Sequence, residues 1–424
     1  MNELTKGRKE SSPVPVKPPD LPAVPAPPAL VPVVPASPAV PVFSALLRFV
    51  TLTAAASGIL AAVVLAGCGK TPDAPDLLVI GSWNVQTLFD GEDNGSEYDE
   101  YRETALWNEK KYRARLNILS GAIQHLNEGR AEDSGGVPDL LALIEIENLS
   151  VLEDIAAMPD LPYRWLFFAG TPGAPLGLGV LSRFPIRDAK THAVSVPGGE
   201  APRPVAEFWL EPDKREALVL MVCHWKSKLG GGEATETARQ AAAAVISRRL
   251  GEIEQSSPGT QVIILGDLNE NHDELVRTNG AYLPALIADS PSAAVYTAAG
   301  SGITAPRPGF RDFLILSGGK PPVLEYLEGP RLNGTPLFSP WMEENNGKNP
   351  GHGSYYYQDQ WETIDHFLLN PPLFDGAGWE YDGFKALNTA PFTNAAAVPE
   401  AFNPRTGGGL SDHLPIILSL RWTD

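Results

Sequence analysis

Short, nearly continuous apolar runs recur along this chain, and each meets a small polar cluster at one end. Leu77–Ile80 leads to Ser82-Trp83-Asn84, Leu140–Ile144 to Glu145, and Leu218–Val222 to His224-Trp225-Lys226. Val262–Leu265 leads to Gly266-Asp267-Leu268-Asn269, while Asp365-His366 and Ser411-Asp412-His413 stand just before Phe367–Leu369 and Ile416–Leu420. Runs without polar alternation read as strands buried on both faces. Leu178–Leu181 and Phe313–Leu316 fit the same description. Between them, Asn108–Gln124 places Tyr112, Leu116, Leu119 and Ile123 at helical spacing, and Glu233–Gln255 is Ala- and Arg-rich with Ala241, Val245 and Leu250. Strands and helices interleave without strict βαβ alternation, which disfavours a Rossmann sheet and points to an α/β (α+β) sandwich.

Residues 76–424 hold these runs with no strong linker and no internal repeat, and are expected to form one catalytic domain. Ahead of it, residues 11–42 are dominated by Pro, Val and Ala, a composition that gives extended chain and no packed core. The apolar stretch Phe49–Ala66 then closes in Leu65-Ala66-Gly67-Cys68. Small residues before a cysteine look like a bacterial lipoprotein signal, with Cys68 as the lipidated residue. An uncleaved membrane-spanning helix is the alternative, because 18 apolar residues are marginally long enough to cross a bilayer.

Lys6, Arg8, Lys9, Lys17 and Arg48 precede the run in either case, so the C-terminal part is expected outside the cytoplasm. The expected organisation is an arm plus signal over 1–68, a tether over 69–75 and the domain over 76–424. The anchor is a lipid on a bacterial membrane, and Gly69 in place of Asp points to an outer one. A proline-rich arm before an export signal is unusual, and a start nearer Val42 is the other reading. Cys223, the only other cysteine, then has no partner and reads as a small core residue.

Fifty-one acidic against 33 basic side chains give a formal charge of −18, and loss of residues 1–67 makes it −20. Such a surface repels polyanions. A divalent cation and a few local Lys or Arg groups can still reverse the field at one site.

The polar clusters are those that metal-assisted phosphoester hydrolysis requires: hard oxygen ligands, a positioned water and positive groups around the developing charge. Glu145 ends an apolar strand and suits a cation; Glu147 shares its face by strand alternation, so the assignment can shift by two residues. Asp267 can accept a proton or orient water and Asn269 can donate to an oxyanion, although Gly-Asp-Leu-Asn also reads as a turn. Asp412 and His413 pair a metal ligand with an acid/base group. Asp365 can fix the tautomer of His413, as orienting carboxylates do. His224 adds a second imidazole, Lys226 is a candidate phosphate contact, and Lys228 reads as solvated. Two long excursions, Asp90–Arg102 and Gly329–Tyr357, are expected to shape the mouth of the site.

Together these clusters resemble the endonuclease/exonuclease/phosphatase superfamily over essentially all of residues 76–424. Asn84–Asp90, Glu145–Asn148, His224–Lys228 and Gly353–Asp365 look most like bacterial secreted or lipoprotein nuclease-like members. The resemblance implies a four-layer α/β sandwich, two mostly antiparallel sheets face to face with helices outside. It implies Mg²⁺ or Mn²⁺ held by Asn84, Glu145 and Asp412, with His224, Asp267, Asn269, Asp365 and His413 catalytic. Gln86 stands where some relatives carry an acid. The activity implied is hydrolysis of a phosphodiester, as a nuclease. A phosphomonoesterase, a sphingomyelinase-like lipid phosphodiesterase or a catalytically silent anchored binding protein are the alternatives.

Overall fold

In the computed structural model the described residues are 49–53, 60–65 and 76–424, apart from 128–135, 172, 197, 200–201, 213–214, 216, 299–312, 328–333 and 344–351. A compact unit runs over Ala45–Asp424. Its first sheet contains β1 (Phe49–Thr53), β2 (Leu60–Leu65), β3 (Leu77–Leu88), β4 (Leu140–Ile146), β5 (Trp165–Gly170), β6 (Gly177–Ser182), β17 (Gly378–Ala386) and β18 (Ile416–Thr423). The second contains β7 (Ile186–His192), β8 (Val205–Leu210), β9 (Leu218–His224), β10 (Gln261–Asp267), β11 (Leu286–Ala288), β12 (Phe313–Ser317), β13 (Gly334–Phe338) and β16 (Asp365–Leu369). A two-stranded ribbon, β14 (Tyr355–Tyr357) and β15 (Gln360–Glu362), stands apart.

The first sheet is ordered β1-β2-β5-β6-β4-β3-β18-β17 and is antiparallel except between β3 and β4. The second is ordered β11-β12-β13-β16-β10-β9-β8-β7, with parallel pairing of β9 to β10 and across β11, β12 and β13. It is therefore more mixed than the expected mostly antiparallel sheet.

Alternation along the central strands explains why they are apolar throughout. Leu78 and Ile80 of β3, Leu140, Ala142 and Ile144 of β4, Leu218, Leu220 and Val222 of β9, and Ile263 and Leu265 of β10 fill the core between the sheets. The intervening Val79, Leu141 and Leu143 turn outward to α1 (Glu109–Ile123) and α2 (Leu149–Ala156). Val219, Met221, Cys223, Val262 and Ile264 turn outward to α3 (Gly232–Ser256). The layers run helix, sheet, sheet, helix. A satellite cluster lies under α4 (Glu274–Arg277) and α5 (Pro291–Ala298). Asn108 caps α1 by accepting from the Lys111 N–H, and Tyr112, Leu116, Leu119 and Ile123 are its buried stripe, as the spacing predicts.

Within the stretch Phe49–Ala66 the described residues are Phe49–Thr53 and Leu60–Leu65. These Val- and Thr-containing pieces form β1 and β2, paired antiparallel, and β2 adds to β5 from Leu60↔Gly170 to Leu65↔Trp165. Among the described residues no helix is long and apolar enough to cross a membrane. Cys68, residues 1–48 and the whole tether 69–75 lie outside the described residues. Cys223 is a buried free thiol.

Candidate active site

The inter-sheet core does not stay apolar to its end. Continuing the inward-facing alternation, β3 passes from Leu78 and Ile80 to Asn84, β9 from Val222 to His224, and β10 from Leu265 to Asp267. Asp365 opens β16 on the same inward phase as Phe367 and Leu369. Asp267 is the register partner of His224 on one side and of Asp365 on the other, so these three form a row across the second sheet. Gly266 allows the close approach behind that row: its φ is +126°, and a Cβ there would lie 2.1 Å from the Cys223 carbonyl oxygen.

The facing sheet presents its residues through two irregularities. Pairing of β3 with β4 shifts between Asn84 and Leu88, where Gln86 and Thr87 have φ of 55° and 50°. Pairing of β4 with β6 shifts around Glu145, whose φ is 69°. Left-handed backbone at non-glycine residues persists only where surrounding bonds enforce it. Buried Arg115 of α1 supplies them, donating to the carbonyls of Val85, Gln86 and Thr87. The Thr87 N–H in turn donates to Glu145 Oε2 at 2.8 Å.

The bulge settles the choice between Glu145 and Glu147. Glu145 turns into the site, whereas Glu147 accepts from the Asp90 N–H and from Asn94 Nδ2 and holds the 90–102 excursion. Strand alternation fails here because one extra residue is inserted at the strand end. Gln86 turns the other way, its Oε1 accepting from the N–H groups of Phe402 and Asp412.

The groups converge on Asp267. Asn84 Nδ2 donates to Asp267 Oδ2 at 3.1 Å and to Glu145 Oε1 at 3.3 Å. His224 Nε2 stands 3.7 Å from Asp267 Oδ2 and 3.8 Å from Glu145 Oε1. His413 Nε2 lies 3.9 Å from the same Asp267 oxygen, and its Nδ1 shares a 2.8 Å hydrogen bond with Asp365 Oδ2. Asp412 is half-buried, and its backbone N–H is fixed by Gln86. Asn269 closes the turn after β10 with φ of 52°: its N–H donates to Asp267 Oδ1 and its Nδ2 to the Trp225 carbonyl. One N–H of its amide thereby joins the loops after β9 and β10.

Burial sets the protonation pattern. It raises the Asp267 carboxyl to about 7 against the opposing pull of His413. Burial acts to lower His413, but the carboxylates of Asp365, Asp267 and Asp412 carry it well above the ordinary imidazole range. His224 is held well below that range by burial, then by Arg203 and His413. One imidazole is thus cationic and the other neutral near neutral pH.

The residues fit a hard divalent cation. Glu145, Asp267 and Asp412 offer carboxylate oxygens, and Asn84 places its amide nitrogen between two of them, where a positive charge is favoured. Its Oδ1 accepts from the Gln86 N–H at 3.0 Å, and exchanging the two ends of the amide to turn that oxygen toward the carboxylates gives up this bond. Ligand atoms of Asp267, Asp365 and His413 lie within 4.8 Å of one another, all buried. Asp365 Oδ1 and His224 Nδ1 are buried without a hydrogen-bond partner. Among the described residues this group of ligand atoms falls on those expected to be catalytic; of the expected metal set Asn84, Glu145 and Asp412, the first two meet it through the bonds of Asn84 to Asp267 and Glu145.

Around this centre, Lys226 is exposed, as a phosphate contact requires. Lys228 is not solvated: it pairs with Glu274 and Glu362, each at 3.1 Å. Sequence reasoning passed over Arg203, Arg115 and Tyr355, whose ring centroid is 4.7 Å from that of His413. For Arg115 a signal existed, a charged residue inside the apolar stripe of α1.

Oxygen ligands beside one cationic and one neutral imidazole, at one end of a two-sheet sandwich, suit metal-assisted hydrolysis of a phosphoester. The profile of the Endonuclease/Exonuclease/phosphatase family matches residues 81–413. The chain belongs to that family. No curated protein matches it. Among solved structures it is similar to truncated Caenorhabditis elegans TDP2, at 13% identity and a TM-score of 0.45 over 81% of this chain and 98% of that one. The human Nocturnin catalytic domain with bound sulfate matches at 14% identity and 0.46, covering 83% and 97%. A Bacteroides thetaiotaomicron endonuclease/exonuclease/phosphatase family protein matches at 14% and 0.43, covering 82% and 98%.

Proposed function

We propose that this hydrolase cleaves phosphodiesters, with nucleic acid as the substrate, and that it acts outside the cytoplasm. The charge balance of the site carries the first part. Glu145, Asp267, Asp365 and Asp412 surround a centre whose nearby cations are His413, Arg203 and the buried Arg115, so a monoanionic diester is repelled less than a dianionic monoester.

Glu145, Asp412 and the Asn84 carbonyl would hold Mg²⁺ or Mn²⁺. When bound, the cation supplies charge neutralisation at a phosphate oxygen. Asp267 Oδ2 accepts a proton from the attacking water, a task suited to a carboxyl raised to about 7. His413 keeps its proton through Asp365 and so serves as donor, passing the Nε2 proton to the departing oxygen. Neutral His224 fills the other flank of Asp267 and orients without adding charge. Asn269 fixes Asp267 Oδ1, leaving Oδ2 toward the reacting groups.

The acidic surface favours a second substrate reading, a small or membrane-borne diester. Purified protein is expected to turn over bis-p-nitrophenyl phosphate with Mg²⁺ or Mn²⁺ and to lose that activity in EDTA. Plasmid DNA, sphingomyelin and p-nitrophenyl phosphate in parallel separate the branches. Turnover of the monoester alone removes the diesterase reading.

Export and anchoring through Cys68 are supported by the basic residues before the apolar run and the Ala66-Gly67 step before the cysteine. Cleavage there would remove β1 and β2 and leave β5 as the edge of the first sheet. Intact mass of the protein from a bacterial host should show a lipidated chain beginning at Cys68. A mature chain that keeps residues 49–65 counts against the anchor.

A further inference from the structure

Beside the catalytic centre the β14–β15 ribbon presents an aromatic face that the chemistry above does not use. Pairing sets Tyr355 opposite Glu362, Tyr356 opposite Trp361 and Tyr357 opposite Gln360, so Tyr355 and Tyr357 share one face. On the other face Tyr356 packs edge-on to Trp361, which rests against the core beneath the first sheet. Among the described residues, the outer end of the face that Tyr355 and Tyr357 share is open to solvent at Tyr357. Their rings are nearly parallel, 17° apart with centroids at 6.2 Å, and Tyr357 is 52% exposed. Tyr355 continues the series inward to the ring of His413.

The ribbon is tied to the catalytic loops at several points. Tyr355 bridges to His413, and the Leu414 N–H donates to the Ser354 carbonyl. The Asp365 N–H donates to Ser354 Oγ, and Lys228 grips Glu362. Gly353 is needed there, since a Cβ would fall 2.0 Å from the Glu362 carbonyl oxygen. A surface patch that served only to shield apolar atoms would not require the same bonds that place Asp365 and His413.

We infer that Tyr355 and Tyr357 form a stacking platform for unpaired nucleobases next to the scissile phosphate, which makes single-stranded nucleic acid the preferred substrate. The inference rests on the phosphodiesterase reading and deepens it. Every base has a π-face, and stacking on an aromatic ring is worth about 1–3 kcal/mol per base without any demand on charge. That suits a chain of net charge −18, whose surface as a whole gives phosphate contacts little help. Lys228, already neutralised by Glu274 and Glu362, adds little to such contacts. Bases in a duplex are closed to the platform by their own stack, and a lipid diester has no ring to offer it.

The test compares a thymidine decamer with an abasic decamer of equal length, cleaved by wild type, Tyr357→Ala and Tyr357→Phe. Binding of the fluorescein-labelled thymidine decamer in EDTA gives a readout independent of the metal. Wild type should prefer the base-bearing strand by roughly 10-fold, the effect of one stacked base. Tyr357→Ala should bring that ratio close to one and weaken binding by a similar factor, and Tyr357→Phe should retain both. An undiminished ratio or affinity in Tyr357→Ala overturns the platform, as does equal cleavage of the two decamers by wild type. Turnover of bis-p-nitrophenyl phosphate with neither decamer cleaved overturns nucleic acid as substrate and leaves the diesterase reading intact; turnover of the monoester alone removes that reading as well.

Discussion

Asp267→Ala is expected to lower kcat by about three decades or more, roughly 4 kcal/mol of transition-state stabilisation. This carboxylate meets groups from both sheets. It accepts from Asn84, faces both imidazoles below 4 Å and is braced by the Asn269 N–H. Its removal takes away the proton acceptor and the charge that helps keep His413 protonated. His413→Ala should cost as much, and the double variant little more, because residues that act as a unit do not add. Single-turnover rates on bis-p-nitrophenyl phosphate, with thermal melting to confirm folding, provide the check. Near-normal rates in either single variant would remove these roles.

Arg239→Met should destabilise the fold by about 3–5 kcal/mol, the range for stripping one partner from a buried ion pair. The guanidinium is fully buried, donating to Glu236 Oε2 at 2.6 Å, Glu270 Oε1 at 3.1 Å and the carbonyls of Gly232 and Lys226. Burial, and then each other's charge in the case of Glu270, already raises both carboxyls. Without Arg239 they rise further. A carboxyl whose folded pKa lies above its unfolded one destabilises the fold at high pH, and the deficit fades as pH falls through the raised value. The loss should therefore be larger at pH 8 than at pH 5, read from the urea midpoint at constant m. A pH-independent loss would point to packing in place of charge. The carbonyl of Lys226 is one of the partners, so the loop after β9 should loosen as well.

Much of this architecture is legible in the sequence because buried strands of a two-sheet sandwich are apolar on both faces. The runs read in β4, β9 and β10 each stop two residues short of the strand end, at the ends that carry Glu145, His224 and Asp267. β8 is not read, because Glu207 interrupts it. That residue is fully buried under α3, held by Arg249, His192 and Trp209. A buried ion pair looks, in sequence, like exposure. β14 and β15 are short and lie in a Gly- and Asn-rich excursion, so their pairing is invisible without the loops that pin them. The left-handed turn at Glu145 is likewise silent, since alternation assigns Glu147 the same face and only the bulge separates them.

The row Asp365, Asp267, His224 has an evolutionary consequence. Each position is set by which rung of the ladder it occupies, and the segments joining the three strands do not enter that rule. Insertions in the exposed turns between β9 and β10, or between β10 and β16, can re-tailor the entrance for new substrates where they spare α3 and the β14–β15 ribbon. A single residue added inside β10 is different: side chains alternate with a period of two, so it would swing Asp267 from the interior to the α3 side and extinguish the chemistry at one stroke. Lineages built on this frame should therefore vary in the length of their connections while the strands themselves hold count.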